Sequence, residues 1–243
     1  MMKLRSTRYY LKMLHSYVRN SNIRRYFHFV LKGHFIRRVI IQRYSTKSKD
    51  ATRCLQVGGG RHSIKETGWI NGDIINGDIY LNATTTLPFP DNYFDAIFTE
   101  QFVEHISIDC MHEFTKECYR VLKPGGVIRH TTPNLPLLFD VYLDKNKKVS
   151  REDAINRLVL VHSKDKTLLT PAEFINAKFR WWGHQFIYDY ETLALVYDNA
   201  GFKHIQEAKF HVSRLRNLSF RERHFDSEWM KDAYQLTVEA QKT

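Results

Sequence analysis

Cysteine is scarce in this chain, long apolar runs are missing, and one end of it has almost no acidic residues. The 243 residues include three cysteines and no CxxC pair. That excludes a disulfide scaffold, and no His/Cys spacing fits zinc, so no metal is expected. Cys54 falls in an apolar run, and Cys118 shares a helical face with Met111, Phe114 and Val121; all three cysteines, Cys110 included, read as small core residues of a reducing compartment. No stretch of about 18–20 apolar residues is present, which removes a membrane-spanning helix from the expectations. The basic start is not followed by an uninterrupted apolar segment and a small-residue cleavage site, so no secretory leader is expected. The expected location is the cytoplasm, or the inner face of a membrane as a peripheral protein.

The shortage of acids is local. Residues 1–50 hold 13 of the 37 Lys and Arg but only one of the 26 acids, Asp50, which leaves 24 basic and 25 acidic residues for the rest. The net charge of +11 therefore belongs to an extension, and the body is close to neutral. Within that extension Tyr10, Met13, Leu14, Tyr17 and Val18 recur at helical spacing. Ile23, Phe27, Val30, Phe35, Ile36, Val39 and Ile40 continue the pattern, with arginines between them and a break at Gly33. Cationic side chains flanking an apolar face suit a helix lying on an anionic membrane surface, here through residues 1–45. They equally suit a helix packed on its own domain or on a second subunit; nucleic acid is the weaker fit. Residues 45–52, STKSKDAT, read as a polar linker.

The body alternates. Arg53–Val57, Trp69–Ile74, Ile79–Leu81, Phe94–Thr99 and Val127–Thr132 read as strands. Asp109–Leu122 reads as a helix stopped by Lys123-Pro124-Gly125-Gly126, which suits a type II turn. Residues 150–180 look helical and stand outside this alternation. Glu191–Asn199 is a helix closing at Gly201, and Phe202–Phe210 and Gln235–Ala240 complete a candidate sheet. Alternation of this kind predicts an α/β domain over 51–243, with a parallel sheet, helices on both faces and an insertion at about 134–188.

Two further absences narrow the chemistry. The first strand runs into Gly58-Gly59-Gly60, yet no Gly-Lys-Ser/Thr follows, which excludes a P-loop. Three positions after Gly60 stands Ser63, so the last glycine of the dinucleotide fingerprint is missing. What remains is a glycine loop after one strand and an acid, Asp73, at the end of the next. That pair suits an adenosine-bearing ligand, because glycine permits close backbone approach and a carboxylate accepts from ribose hydroxyls.

CLQVGGG, GWINGDI, LPFPDNYFDAIFTEQFVEHI and RVLKPGGVIRHTTPN occur in that order over about 80 residues. Together they resemble the class I S-adenosylmethionine-dependent methyltransferases, and the chain is similar to a bacterial branch encoded with surface-polysaccharide genes. The resemblance implies a Rossmann-like sheet with S-adenosylmethionine as cofactor. Gly58, Gly59 and Gly60 would lie against it, Asp73 would take the ribose, and Asn82 would take the adenine amine. Glu100 and Gln101 would stand at the methionine end. Two positions depart from the family pattern: Gln56 and Asn82 stand where acids are usual.

Transfer of a methyl group to a hydroxyl needs orientation and an outlet for a proton. His105, just after the fourth strand, and His184, in Trp181-Trp182-Gly183-His184, are the candidate catalytic residues. His130 reads as interior, and Glu222-Arg223-His224 as a solvated loop. The expected acceptor is a saccharide hydroxyl in surface glycan or glycolipid biosynthesis. RNA or another small molecule is an alternative, as is a degenerate, non-catalytic partner protein.

Overall fold

The computed structural model describes residues 52–162, 170–219, 221–222 and 234–243. The expected helices and membrane-facing arm within residues 1–45, and most of the linker, lie outside them. Seven strands form one sheet: β1 Cys54–Val57, β2 Trp69–Asp73, β3 Ile79–Tyr80, β4 Phe94–Glu100, β5 Leu122–Pro133, β6 Lys203–Glu207 and β7 Gln235–Gln241. Their order is β3-β2-β1-β4-β5-β7-β6. The first five run parallel, whereas β7 is antiparallel to both β5 and β6, so the sheet is mixed rather than wholly parallel. This is a Rossmann-like α/β fold, with β1 and β4 at its centre and their C-terminal ends on one edge.

The central strands are apolar on both sides because both sides are covered. On one face α1, Ile108–Val121, buries Met111, Phe114, Cys118 and Val121. Its start is fixed by Ser107, whose side chain accepts from Cys110 N. The turn expected at Lys123-Pro124-Gly125-Gly126 is instead part of β5: Gly125, at φ +81°, sits where the pairing with β4 shifts, from Phe94–Leu122 to Ala96–Val127. On the other face Cys54, Ala96, Phe98 and Val127 pack against Ile64, Trp69 and Leu218.

β1 and β2 are joined by residues 58–68 without a helix. Two buried amides hold this turn. Gln56 Oε1 and Asn71 Oδ1 both accept from Ile64 N (2.9 and 2.8 Å), and Asn71 Nδ2 donates to Ile64 O (2.9 Å).

The insertion carries α2 Leu135–Tyr142, α3 Arg151–His162 and α4 Pro171–Arg180. A separate core that includes Leu138, Val141, Ala154, Phe174 and Ala177 joins them. Thr170 and Glu173 form a capping box at the start of α4. The insertion leaves and re-enters at one point, where Asn134 and Tyr188 make an isolated parallel bridge. α5, Tyr190–Asn199, then returns the chain to the sheet, capped by Asp189 and ended at Gly201 (φ +99°).

The sixth strand is shorter than expected and ends at Glu207 rather than Phe210. Its register slips between Lys203 and Gln206, with His204 at φ +52°. Beyond it the carbonyls of Lys209 and Val212 accept from the Arg129 guanidinium instead of from a neighbouring strand (both 2.9 Å).

Candidate functional site

At the C-terminal end of β1 the ladder continues one residue further, with Gly58 N donating to Gly72 O at 2.9 Å. Gly58 (φ +69°) and Gly60 (φ +52°) then turn the backbone in the left-handed region. A Cβ on Gly58 would lie 2.2 Å from the Phe102 ring, and one on Gly59 would lie 2.6 Å from the Gln56 amide. A Cβ on Gly60 would meet nothing within 4 Å, so the loop presents its open side there. Gly60 N donates to Asp73 Oδ2 at 3.0 Å, while Asp73 Oδ1 accepts from Ile75 N and Asn76 N (2.7 and 3.0 Å). The β2 acid is thereby fixed against the loop.

A cavity of about 200 Å³ opens beside this turn, lined by Gln56, Gly58, Gly59, Gly60, Arg61, His62, Glu100 and Gln101. Five of the seven residues expected at the cofactor thus line one space, and Asp73 joins them through Gly60. Asn82 stands apart just beyond β3, where its Oδ1 accepts from Thr84 N and Thr84 Oγ1 (3.0 and 2.8 Å). Gln101 holds φ +50°, sparsely populated for a residue with a side chain, and its Nε2 is buried without a hydrogen-bond partner among the described residues. Its own N–H donates to Thr131 O at 2.8 Å, which ties the tip of β4 to β5. Arg61 and His62 were not foreseen. Their only signal is their position directly after the glycines.

The two expected catalytic histidines are 79 positions apart in sequence but in contact in the fold, with ring centroids 4.9 Å apart. Beside them lies Glu104, wholly buried, whose Oε2 accepts from Thr132 Oγ1 at 3.0 Å and whose Oε1 has no hydrogen-bond partner among the described residues. The segment after Trp182, which itself sits at φ +58°, is fastened to the turn after β4. Gln185 N donates to Glu104 O (2.7 Å), and Gln185 Nε2 donates to His105 O (2.6 Å). Burial pushes the Glu104 carboxyl up to about 8, and the neighbouring Glu100 charge adds to this. Burial also pushes His105 down to about 4, helped by His184, and lowers His184 itself. The Lys178 ammonium is lowered to about 8 by burial, against the pull of Glu104. Neither Glu104 nor Lys178 carried a sequence signal for this role.

The other polar expectations divide. His130 is interior, as expected. Its Nδ1 lies 2.7 Å from Thr99 Oγ1, its ring stacks between Phe114 and Tyr197, and burial pushes it down to about 3. Glu222 is a correction: it is 2% exposed rather than part of a solvated loop. Its Oε1 accepts from Arg129 Nε at 2.6 Å, and Arg129 NH1 also donates to Glu239 Oε1 at 2.8 Å. A buried arginine on β5 draws the carboxylate inward. Arg223 and His224 lie outside the described residues.

Among known proteins, residues 63–129 match the family model described as a methyltransferase domain. The chain is 40% identical over 57 residues to a probable S-adenosylmethionine-dependent methyltransferase of Mycolicibacterium smegmatis, covering 24% of this chain and 21% of that one. It is 38% identical over 80 residues to the demethylmenaquinone methyltransferase of Listeria welshimeri, covering 32% of this chain and 31% of that one. The chain thus spans less than a third of the length of these curated relatives. Among solved structures, an S-adenosylmethionine-dependent methyltransferase from Archaeoglobus fulgidus aligns with 89% of this chain and 99% of its own, at 20% identity and a TM-score of 0.47.

Proposed function

We propose that this chain is an S-adenosylmethionine-dependent methyltransferase that methylates a hydroxyl of a small polar acceptor, a saccharide of a surface glycan or its lipid-linked precursor. The observation that carries the cofactor reading is the Gly60–Asp73 contact, which sets a carboxylate against an open glycine turn beside a cavity. The residues present fit the cofactor. Gly60 leaves room for close approach, Asp73 and Glu100 are acceptors for ribose hydroxyls and an amine, and the Gln101 amide is a buried donor in need of an acceptor. When bound, the cofactor supplies an electrophilic methyl on a sulfonium.

The chain's own part is to hold both partners in line and keep water out, which can provide most of the acceleration. In this reading His105 and His184, where the end of the insertion is fastened to the turn after β4, would face the acceptor. The basic residues of 1–45 would hold the enzyme on an anionic membrane face, each worth about 1 kcal/mol near the lipid. Deleting residues 1–45 should then abolish binding to anionic vesicles, and unchanged binding would remove that part of the reading.

A second acceptor class has its own support. Phe139, Tyr142, Leu143 and Phe179 of the insertion are exposed, and a demethylmenaquinone methyltransferase is among the relatives, which favours an apolar or ring-bearing acceptor. Incubation with methyl-labelled cofactor and fractionated glycans, lipids and RNA decides between them. Label is expected in the glycan or glycolipid fraction. Label in the quinone-bearing lipid fraction selects the second class, and label in RNA overturns both.

A further inference from the structure

Outside the cavity described above, Glu104, His105 and His184 converge from two separate segments. Each offers one ligand atom, and the three atoms lie within 4.8 Å of one another. We infer that this trio is a binding site for a divalent transition-metal ion, of the two-histidine, one-carboxylate kind that leaves coordination positions open. No sequence spacing announces it, because His184 arrives from the far end of the insertion.

Three features mark it as a built site. Glu104 is wholly buried, and its Oε1 is left without a hydrogen-bond partner among the described residues, an expensive arrangement unless something positive meets it. His184 Nδ1 lies 2.6 Å from Lys178 O. A carbonyl only accepts, so that nitrogen carries the hydrogen, and in the neutral ring Nε2 is the atom with the free lone pair. Metal-binding histidines generally have one ring nitrogen anchored in this way, which fixes the ring and raises its basicity. The backbone around the trio is also clamped, by Gln185 to Glu104 and His105. Charge acts in both directions. Glu100 adds a second carboxylate nearby, and the Lys178 ammonium opposes a cation. The two imidazoles favour transition-metal ions over magnesium or calcium, which prefer oxygen ligands.

The test uses the full, tag-free chain freed of metal with a chelator and titrated with Co²⁺, without cofactor or acceptor, so its result is independent of the methyl-transfer reading. One equivalent should bind, giving a visible d–d band that Zn²⁺ displaces. Since even outer-shell partners are worth roughly 10–100-fold, Glu104→Gln and His184→Ala should each weaken binding by more than about 100-fold. His112→Ala, on α1, should change nothing. Should His184→Ala fail to fold, imidazole ¹⁵N spectra of the unaltered protein serve instead, and Zn²⁺ should move the His105 and His184 rings. Failure to bind Co²⁺ or Zn²⁺ at millimolar concentration would overturn the assignment. So would binding undiminished in the variants, or shifts confined to other histidines.

Discussion

Gly58 and Gly60 are glycines for different reasons, and single substitutions should separate them. Gly58→Ala combines a left-handed backbone with a collision against Phe102, whose ring is itself packed edge-on against Phe114. It should cost roughly 2–5 kcal/mol of stability. Gly60→Ala meets no atom and should cost only about 1–2 kcal/mol for its backbone. Thermal melts compare the two, and a larger loss at Gly60 would contradict the geometry. Gln56 turns out to be a brace. Its amide donates to His62 O (3.2 Å) and accepts from Ile64 N, so Gln56→Glu should loosen the loop and weaken cofactor binding rather than restore it. Calorimetry of that variant checks the sign. His130 adds a pH signature. Its folded value lies near 3, well below its ordinary one, so between about pH 6.5 and 3 the unfolded chain holds a proton that the native chain does not. Stability should therefore fall as the pH drops through that window, by up to about 1.4 kcal/mol per unit, and His130→Phe should flatten the slope of urea midpoint against pH. The glycines and Asp73 were legible in the sequence because their roles are local. The partners of Gln56 lie six and eight residues away in a turn without periodicity, so its role was not.

At the scale of elements, α1 was legible because burial on one side imposes a period of 3.6, and the parallel strands because burial on both faces leaves short apolar runs. The direction of β7 was not, since alternation in a strand is the same read either way. Nor did any pattern announce that Lys209, Val212 and Glu222 meet Arg129. That guanidinium, wholly buried, is held by Glu222, Glu239 and two carbonyls, and it fastens β5, β7 and the loop together. Arg129→Met would remove the guanidinium that two buried carboxylates share and should cost about 3–5 kcal/mol in urea unfolding. Replacing all three charges with apolar residues should recover most of that loss, and no recovery would mean that the network does more than neutralise itself.

Over the whole molecule, the polar groups come together from distant parts of the chain. The strand tips of a Rossmann-like sheet gather the glycine turn, Asp73, Glu100 and Gln101. The insertion brings His184 to Glu104 and His105, a meeting that no local spacing could foretell. Among the described residues no helix is long and apolar enough to cross a membrane, and the excess positive charge is confined to residues 1–50. The central claim is that the glycine turn and Asp73 form a working S-adenosylmethionine site. Isothermal calorimetry of the full chain with this cofactor tests it most directly. One saturable site per chain is expected, with affinity falling by at least about tenfold in Asp73→Ala, since a hydrogen bond to a charged group is worth roughly 1.5–3 kcal/mol. No heat at millimolar cofactor, or equal affinity in Asp73→Ala, would contradict it.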